Sequence, residues 1–191
     1  IASRAGGSAT SFGGLGASVG VAFAPSGAYD SIATTTLSTP TTSITFSSIP
    51  ATYTHLQIRG ISQKSTNSDN THIVLNGDTG SNYATHYLIG DGSSASSAAE
   101  TTTSRAYVNV LTQSSTSFAA SITDILDYTN TNKYKTIRTL AGIDLNGTGS
   151  VWLVSGLWMS ASAVTSITLR PTAAQNFATY TSFALYGIKG A

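Results

Sequence analysis

Cysteine is absent from this 191-residue chain, which excludes a disulfide framework, a thiolate nucleophile and a Cys-ligated zinc site. Charge is nearly as scarce. Charged side chains make up 9% of the residues, with 9 Lys and Arg against 8 Asp and Glu for a net charge of +1. Globular domains usually carry about 25% charged residues. So weak a field does not concentrate polyanions, and nucleic acid is not an expected partner. No uninterrupted apolar run approaches the roughly 18 residues of a membrane span, so no membrane partner is expected either. Glutamate occurs once, at Glu100. There is no Gly-x-Ser-x-Gly elbow, no Walker loop and no dinucleotide fingerprint, and no cofactor is expected.

What is abundant is the aliphatic hydroxyl. The chain holds 29 Ser and 30 Thr, together with 18 Gly. Such a chain is polar without being charged. Disordered segments combine low hydrophobicity with high net charge, and neither description fits here. Thr, Val, Ile and Tyr suit a pleated, half-buried surface better than a helix. The four-residue charge pairs of exposed helices are missing.

Period-two alternation runs through the chain. Ile44 and Phe46 share a face, as do Leu56 and Ile58, with Gln57 and Arg59 opposite. Ala106, Val108 and Val110 alternate with Tyr107, Asn109 and Leu111. Ile137, Thr139, Ala141 and Ile143 alternate with Arg138, Leu140 and Gly142, and Phe183 and Leu185 with Ala184 and Tyr186. Two runs, Ile73 to Leu75 and Val151 to Met159, are apolar on both sides, and the second reads as a central strand. Turn clusters at Asn76-Gly77, Gly90-Asp91-Gly92 and Asn146-Gly147 separate such runs. About ten strands at this spacing, with no alternating helices, predict an all-β antiparallel β-sandwich, jelly-roll-like. The segment from Ser93 to Thr101 fits one helical turn or a loop.

The N-terminus has a different composition. Residues 1–28 are rich in Gly, Ala and Ser, and Arg4 is the only charged side chain of the first 27. Phe12, Leu15, Val19, Val21 and Phe23 are spaced by small residues. A signal peptide would need a compact apolar stretch, which the glycines interrupt. A flexible linker is the plain alternative, although five large apolar side chains are many for a spacer. The leading reading is an extended arm that orders on a neighbouring subunit, with these five residues as candidate subunit or capsid contacts. Residues 29–191 then form the sandwich domain.

Catalytic side chains are thinly spread. Asp124 and Asp127 are three apart, which on a strand places them on opposite faces, so they do not form a carboxylate pair. His55, His72 and His86 show no metal-ligand spacing, although His72 and His86 lie in neighbouring runs that could meet across a hairpin. Asp69, Asp78, Asp91 and Asp144 sit near Gly or Asn without the ladder of a calcium loop, and turn chemistry accounts for each. An enzyme is not expected. Tyr53, Tyr83, Tyr87, Tyr107, Tyr128, Tyr134 and Tyr180 near strand ends suit core or rim packing, and are also compatible with stacking on sugar rings.

Several stretches resemble a family of short bacteriophage-encoded proteins. They are Tyr29-Asp-Ser-Ile-Ala-Thr-Thr-Thr-Leu37, Ile44-Thr-Phe-Ser-Ser-Ile-Pro-Ala-Thr-Tyr-Thr-His-Leu-Gln-Ile-Arg59, Leu75-Asn-Gly-Asp-Thr-Gly-Ser-Asn-Tyr83, Gly156-Leu-Trp158, Ile167-Thr-Leu169 and Phe183-Ala-Leu-Tyr-Gly-Ile-Lys189. The resemblance covers residues 29–190 and rests on structural punctuation, so it transfers no catalytic residue. It implies a virion setting, and within that setting the leading expectation is a structural protein that decorates or cements the capsid surface. Its partners would be the major capsid protein or neighbouring copies in a homo-oligomer, a trimer being favoured. A tail-fibre module that recognises host surface glycans is the alternative. Low charge suits many copies packed on one shell, because like-charge repulsion between them is small.

Overall fold

The structure, a computed structural model, describes residues 27–64, 70–109, 116–172 and 175–190. The candidate arm contacts Phe12, Leu15, Val19, Val21 and Phe23 lie outside these residues, as do Asp69, Val110 and Leu111. The described residues form twelve strands and two antiparallel sheets packed as a sandwich. The strands are β1 (Tyr29–Thr36), β2 (Ile44–Phe46), β3 (His55–Ser62), β4 (Thr71–Leu75), β5 (Tyr83–Gly90) and β6 (Ala95–Thr103). They continue with β7 (Ala106–Asn109), β8 (Ala119–Leu126), β9 (Lys135–Asp144), β10 (Gly149–Trp158), β11 (Ile167–Pro171) and β12 (Ser182–Ile188).

The large sheet has the order β1-β12-β3-β8-β9-β10-β5-β6, and the small one β2-β11-β4-β7. Neighbours such as β12 beside β3 and β10 beside β5 rule out a simple meander. The fold is the antiparallel β-sandwich that the alternation predicts. Its inner faces are the predicted ones: Leu56 and Ile58 from β3, Ile137 from β9, Phe183 and Leu185 from β12, facing Phe46, Ile73, Leu75, Ala106, Val108 and Ile167 of the small sheet. The hydroxyl-rich composition reaches into the interior, in one place as a bonded pair. Thr123 and Thr139, opposite each other on β8 and β9, are buried and share a 2.8 Å hydrogen bond.

One segment departs from its reading. Ser93 to Thr101 contributes neither a helical turn nor a loop but most of β6, an exposed edge strand paired with β5. Its run of Ser, Ala and Thr carries no alternation, because neither face of this strand is buried. Pairing with β5 decides its conformation where the local sequence leaves it open.

Glycine on the inner face makes room for aromatic rings. Gly60 on β3 lies opposite Phe183 on β12, and a Cβ on Gly60 would sit 2.3 Å from that ring. Phe183 is itself held edge-on against Phe177, with centroids 5.5 Å apart, so it has no free space to move into. Gly60→Val is therefore expected to destabilise the fold by about 2–3 kcal/mol, the upper part of the usual 1–3 kcal/mol for overpacking. A urea-unfolding midpoint unchanged from the parent would contradict this packing.

Candidate interaction surface

The outward face of the large sheet departs from the polar surface that alternation leads one to expect. Ile122 on β8 pairs with Leu140 on β9, Leu140 with Leu153 on β10, and Leu153 with Leu88 on β5. These four side chains form one row across four adjacent strands. The next row holds Ile61, Ala120, Gly142 and Val151. Ile61, Leu88, Ile122, Leu140, Val151 and Leu153 are each between 44% and 59% exposed.

The run Val151 to Met159, read as a central strand, does lie between β9 and β5. Its inward residues Trp152, Val154 and Trp158 are buried, yet Val151 and Leu153 face outward and uncovered. The six half-exposed aliphatics present on the order of 500 Å² of apolar surface, toward the upper end of what monomeric proteins show. Covering that area is worth on the order of 10 kcal/mol before association costs.

Relief and charge complete the face. Leu88, Leu153, Leu126 and Ala99, together with His86 and Arg138, line an open groove of about 740 Å³. A shallower hollow of about 330 Å³ lies between Ile122, Leu140 and Val151. Arg138 is paired with Asp124 at 2.9 Å, and Asp124 also accepts a 2.8 Å hydrogen bond from Gln57. On the other flank the Arg59 guanidinium lies 5.2 and 5.1 Å from the ring centroids of Tyr29 and Tyr186. The apolar rows are thus bordered by charges that already have partners.

The residues singled out for chemistry do not converge. Asp124 projects outward from β8. Asp127 lies just past the strand end, at a positive φ of 47°, where it pairs with Lys133 and with His55. Lys133 and His55 hold its carboxyl below the usual range, the hydrogen bond from Lys133 being the larger cause. His72 and His86 do not meet across a hairpin. The link from β4 to β5 crosses between the sheets, which leaves His72 buried on the small sheet and His86 exposed on the large one.

The turn aspartates are occupied by turn bonds. Asp91 accepts the backbone N–H groups of Ser93 and Ser94, and Asp144 that of Asn146. Asp78 accepts the Gly80 N–H and, at 2.7 Å, the indole N–H of Trp158. Among the described residues no three His, Asp or Glu side chains come together.

The tyrosines divide similarly. Tyr83 and Tyr128 are fully buried, and Tyr87 stacks on Trp152 with Tyr107 at its edge. Tyr134 and Tyr180 are exposed on separate loops. Sequence reasoning passed over Lys135, which the structure buries completely. Its ammonium donates to the carbonyls of Asn130, Lys133 and Ala161, and burial lowers its pKa. The signal was present, since Lys135 is in phase with Ile137 and Thr139.

No family model, curated protein or solved structure matches this chain.

Proposed function

We propose that the protein is a structural component of a bacteriophage virion that decorates or cements the capsid surface as a homo-oligomer. The observation that supports this reading best is the apolar outer face of the large sheet. A face with two aliphatic rows aligned across adjacent strands is costly to leave in water, and a second copy of the same chain is a fitting cover. The near-neutral chain brings little repulsion to such a contact, and Arg138 and Asp124 at its edge are already neutralised within each copy. The whole outward face, about eight strands wide at roughly 4.8 Å each, is large enough for the roughly 800 Å² per partner of a stable interface. In a trimer, the favoured state, each large sheet would face the common axis. The arm, residues 1–28, would carry attachment to the particle.

Two measurements test this. The double variant Leu140→Glu, Leu153→Glu places charges on the face without touching the core. It is expected to convert the oligomer to monomer in light scattering while leaving the thermal midpoint of the monomer within a few degrees. A parent chain that is monomeric at all concentrations would remove the support. Immunogold microscopy with antibody against residues 29–191 tests the setting. Gold over the heads is expected, whereas gold confined to the tail tip would favour the glycan-reading fibre, and unlabelled particles would remove the virion altogether.

A further inference from the structure

The opposite side of the sandwich holds a feature that the assembly reading does not use. A pocket of about 550 Å³ opens on the small sheet, with Arg105, Arg170 and His72 on its wall and the hydroxyl residues Thr42, Thr168 and Thr172 around them. The register of β11 against β4 sets Arg170 directly across from His72. Arg105, in the β6–β7 turn, donates its Nε–H to His72 Nε2 at 3.2 Å. The Thr172 hydroxyl lies 3.1 Å from the same nitrogen. His72 is buried, so this contact fixes both its ring and the Arg105 side chain.

Among the described residues the charge at this pocket is unbalanced. Every described carboxylate is engaged elsewhere: Asp30 with Lys189, Asp124 with Arg138, Asp127 with Lys133, Glu100 with the Tyr107 hydroxyl, and Asp78, Asp91 and Asp144 in their turns. None of them lines the pocket, and neither Arg105 nor Arg170 joins an ion pair among the described residues. Two guanidinium groups facing one cavity favour an oxyanion between them, because their forked donors match carboxylate and sulfate oxygens. Burial and the neighbouring cations Arg105, Lys64 and Arg170 hold His72 neutral, so the positive charge facing the pocket is that of the two guanidinium groups. Thr42, Ser43, Thr168 and Thr172 bring four hydroxyls to the rest of the wall, which can hydrogen-bond the hydroxyls of a sugar ring.

We propose that this pocket binds an acidic saccharide unit, with its carboxylate or sulfate held by Arg105 and Arg170 and its ring hydroxyls facing Thr42, Thr168 and Thr172. The inference does not rest on the virion reading. Sheet-to-sheet association through the apolar face leaves the pocket open, so either can fail alone.

The test is a titration of the isotopically labelled full chain followed by NMR, using glucuronate, glucose 6-sulfate, neutral glucose and inorganic sulfate as separate probes. The expected result is that one or both acidic sugars shift the amides of Thr42, Thr168 and Arg170, and neutral glucose does not. The arm that binds tells carboxylate from sulfate. Arg170→Gln is expected to weaken that binding roughly tenfold or more, as loss of a charge-assisted contact does, with the rest of the spectrum unchanged. Arg170→Lys should recover part of it. Inorganic sulfate binding as tightly as the sugars would reveal an adventitious ion only and overturn the proposal. So would equal shifts with neutral glucose, or no shift with any probe.

Discussion

Trp158→Ala is expected to destabilise the protein by about 4 kcal/mol, within the usual 3–5 kcal/mol for emptying a buried aromatic site. Trp158 ends β10, is buried, and stacks on fully buried Tyr83 with centroids 6.4 Å apart. Tyr83 in turn accepts the Leu75 backbone N–H through its hydroxyl at 2.9 Å. The indole N–H reaches Asp78 in the turn between β4 and β5, so one side chain ties the large sheet to the loop that crosses from the small one. Trp158→Phe separates the two contributions. It keeps most of the apolar volume and removes only the charge-assisted bond, for an expected loss of about 1.5–2 kcal/mol.

The bond from Trp158 is also the main reason that the Asp78 carboxyl sits below its ordinary pKa. In Trp158→Phe that carboxyl should titrate closer to the ordinary aspartate value, which carbon-detected NMR can follow. Urea denaturation that shows Ala and Phe to be equally costly would mean that the hydrogen bond, rather than packing, dominates this corner.

Acidification from pH 6.5 to 4.5 is expected to remove about 2–3 kcal/mol of folding stability through His72 alone, at about 1.4 kcal/mol per pH unit. Burial first, and then Arg105, Lys64 and Arg170, lower the His72 pKa from 6.5 to about 3. The unfolded chain takes up a proton near pH 6.5 and the folded chain only near pH 3. Between these values the unfolded state binds more protons, so stability falls as pH falls. It is fully present above about pH 6.5 and the loss is complete below about pH 3. The lowered carboxylates Asp78, Asp91 and Asp127 have an ordinary value of 3.8, so their contributions are lost mainly below pH 4.

Above pH 4.5 the comparison of the parent with His72→Gln therefore isolates His72. Unfolding free energies measured by urea at pH 7, 5.5 and 4.5 should decline steadily in the parent. They should be nearly flat in His72→Gln, which can still accept from Arg105 but cannot be protonated. An equal slope in both proteins would assign the acid sensitivity to another group.

Local patterns in the chain determined the class of fold. Alternation assigned the inner faces of β3, β9 and β12 residue by residue, because the side-chain period of a strand is two and only one face meets the other sheet. Asn-Gly and Asp-Gly pairs marked the turns, because their backbones accept positive φ: Asn76 and Gly77 adopt 52° and 68°. The same turn chemistry led to Asp91 and Asp144 being read as turn residues.

Strand partners were decided only in three dimensions. β6 has no apolar face, and its conformation comes from hydrogen bonds to β5, which leave no local trace. The adjacency of β4 and β5 in sequence allowed His72 and His86 to meet across a hairpin, but consecutive strands in a sandwich often belong to different sheets. The outer apolar rows were half legible. Leu140 and Leu153 were visible as apolar residues on the wrong face of their strands, yet their alignment with Ile122 and Leu88 depends on the register of four strands. The Arg105–His72–Arg170 pocket was not legible at all. Its residues come from three segments spread over about a hundred positions, and tertiary packing alone brings two cations against one buried imidazole.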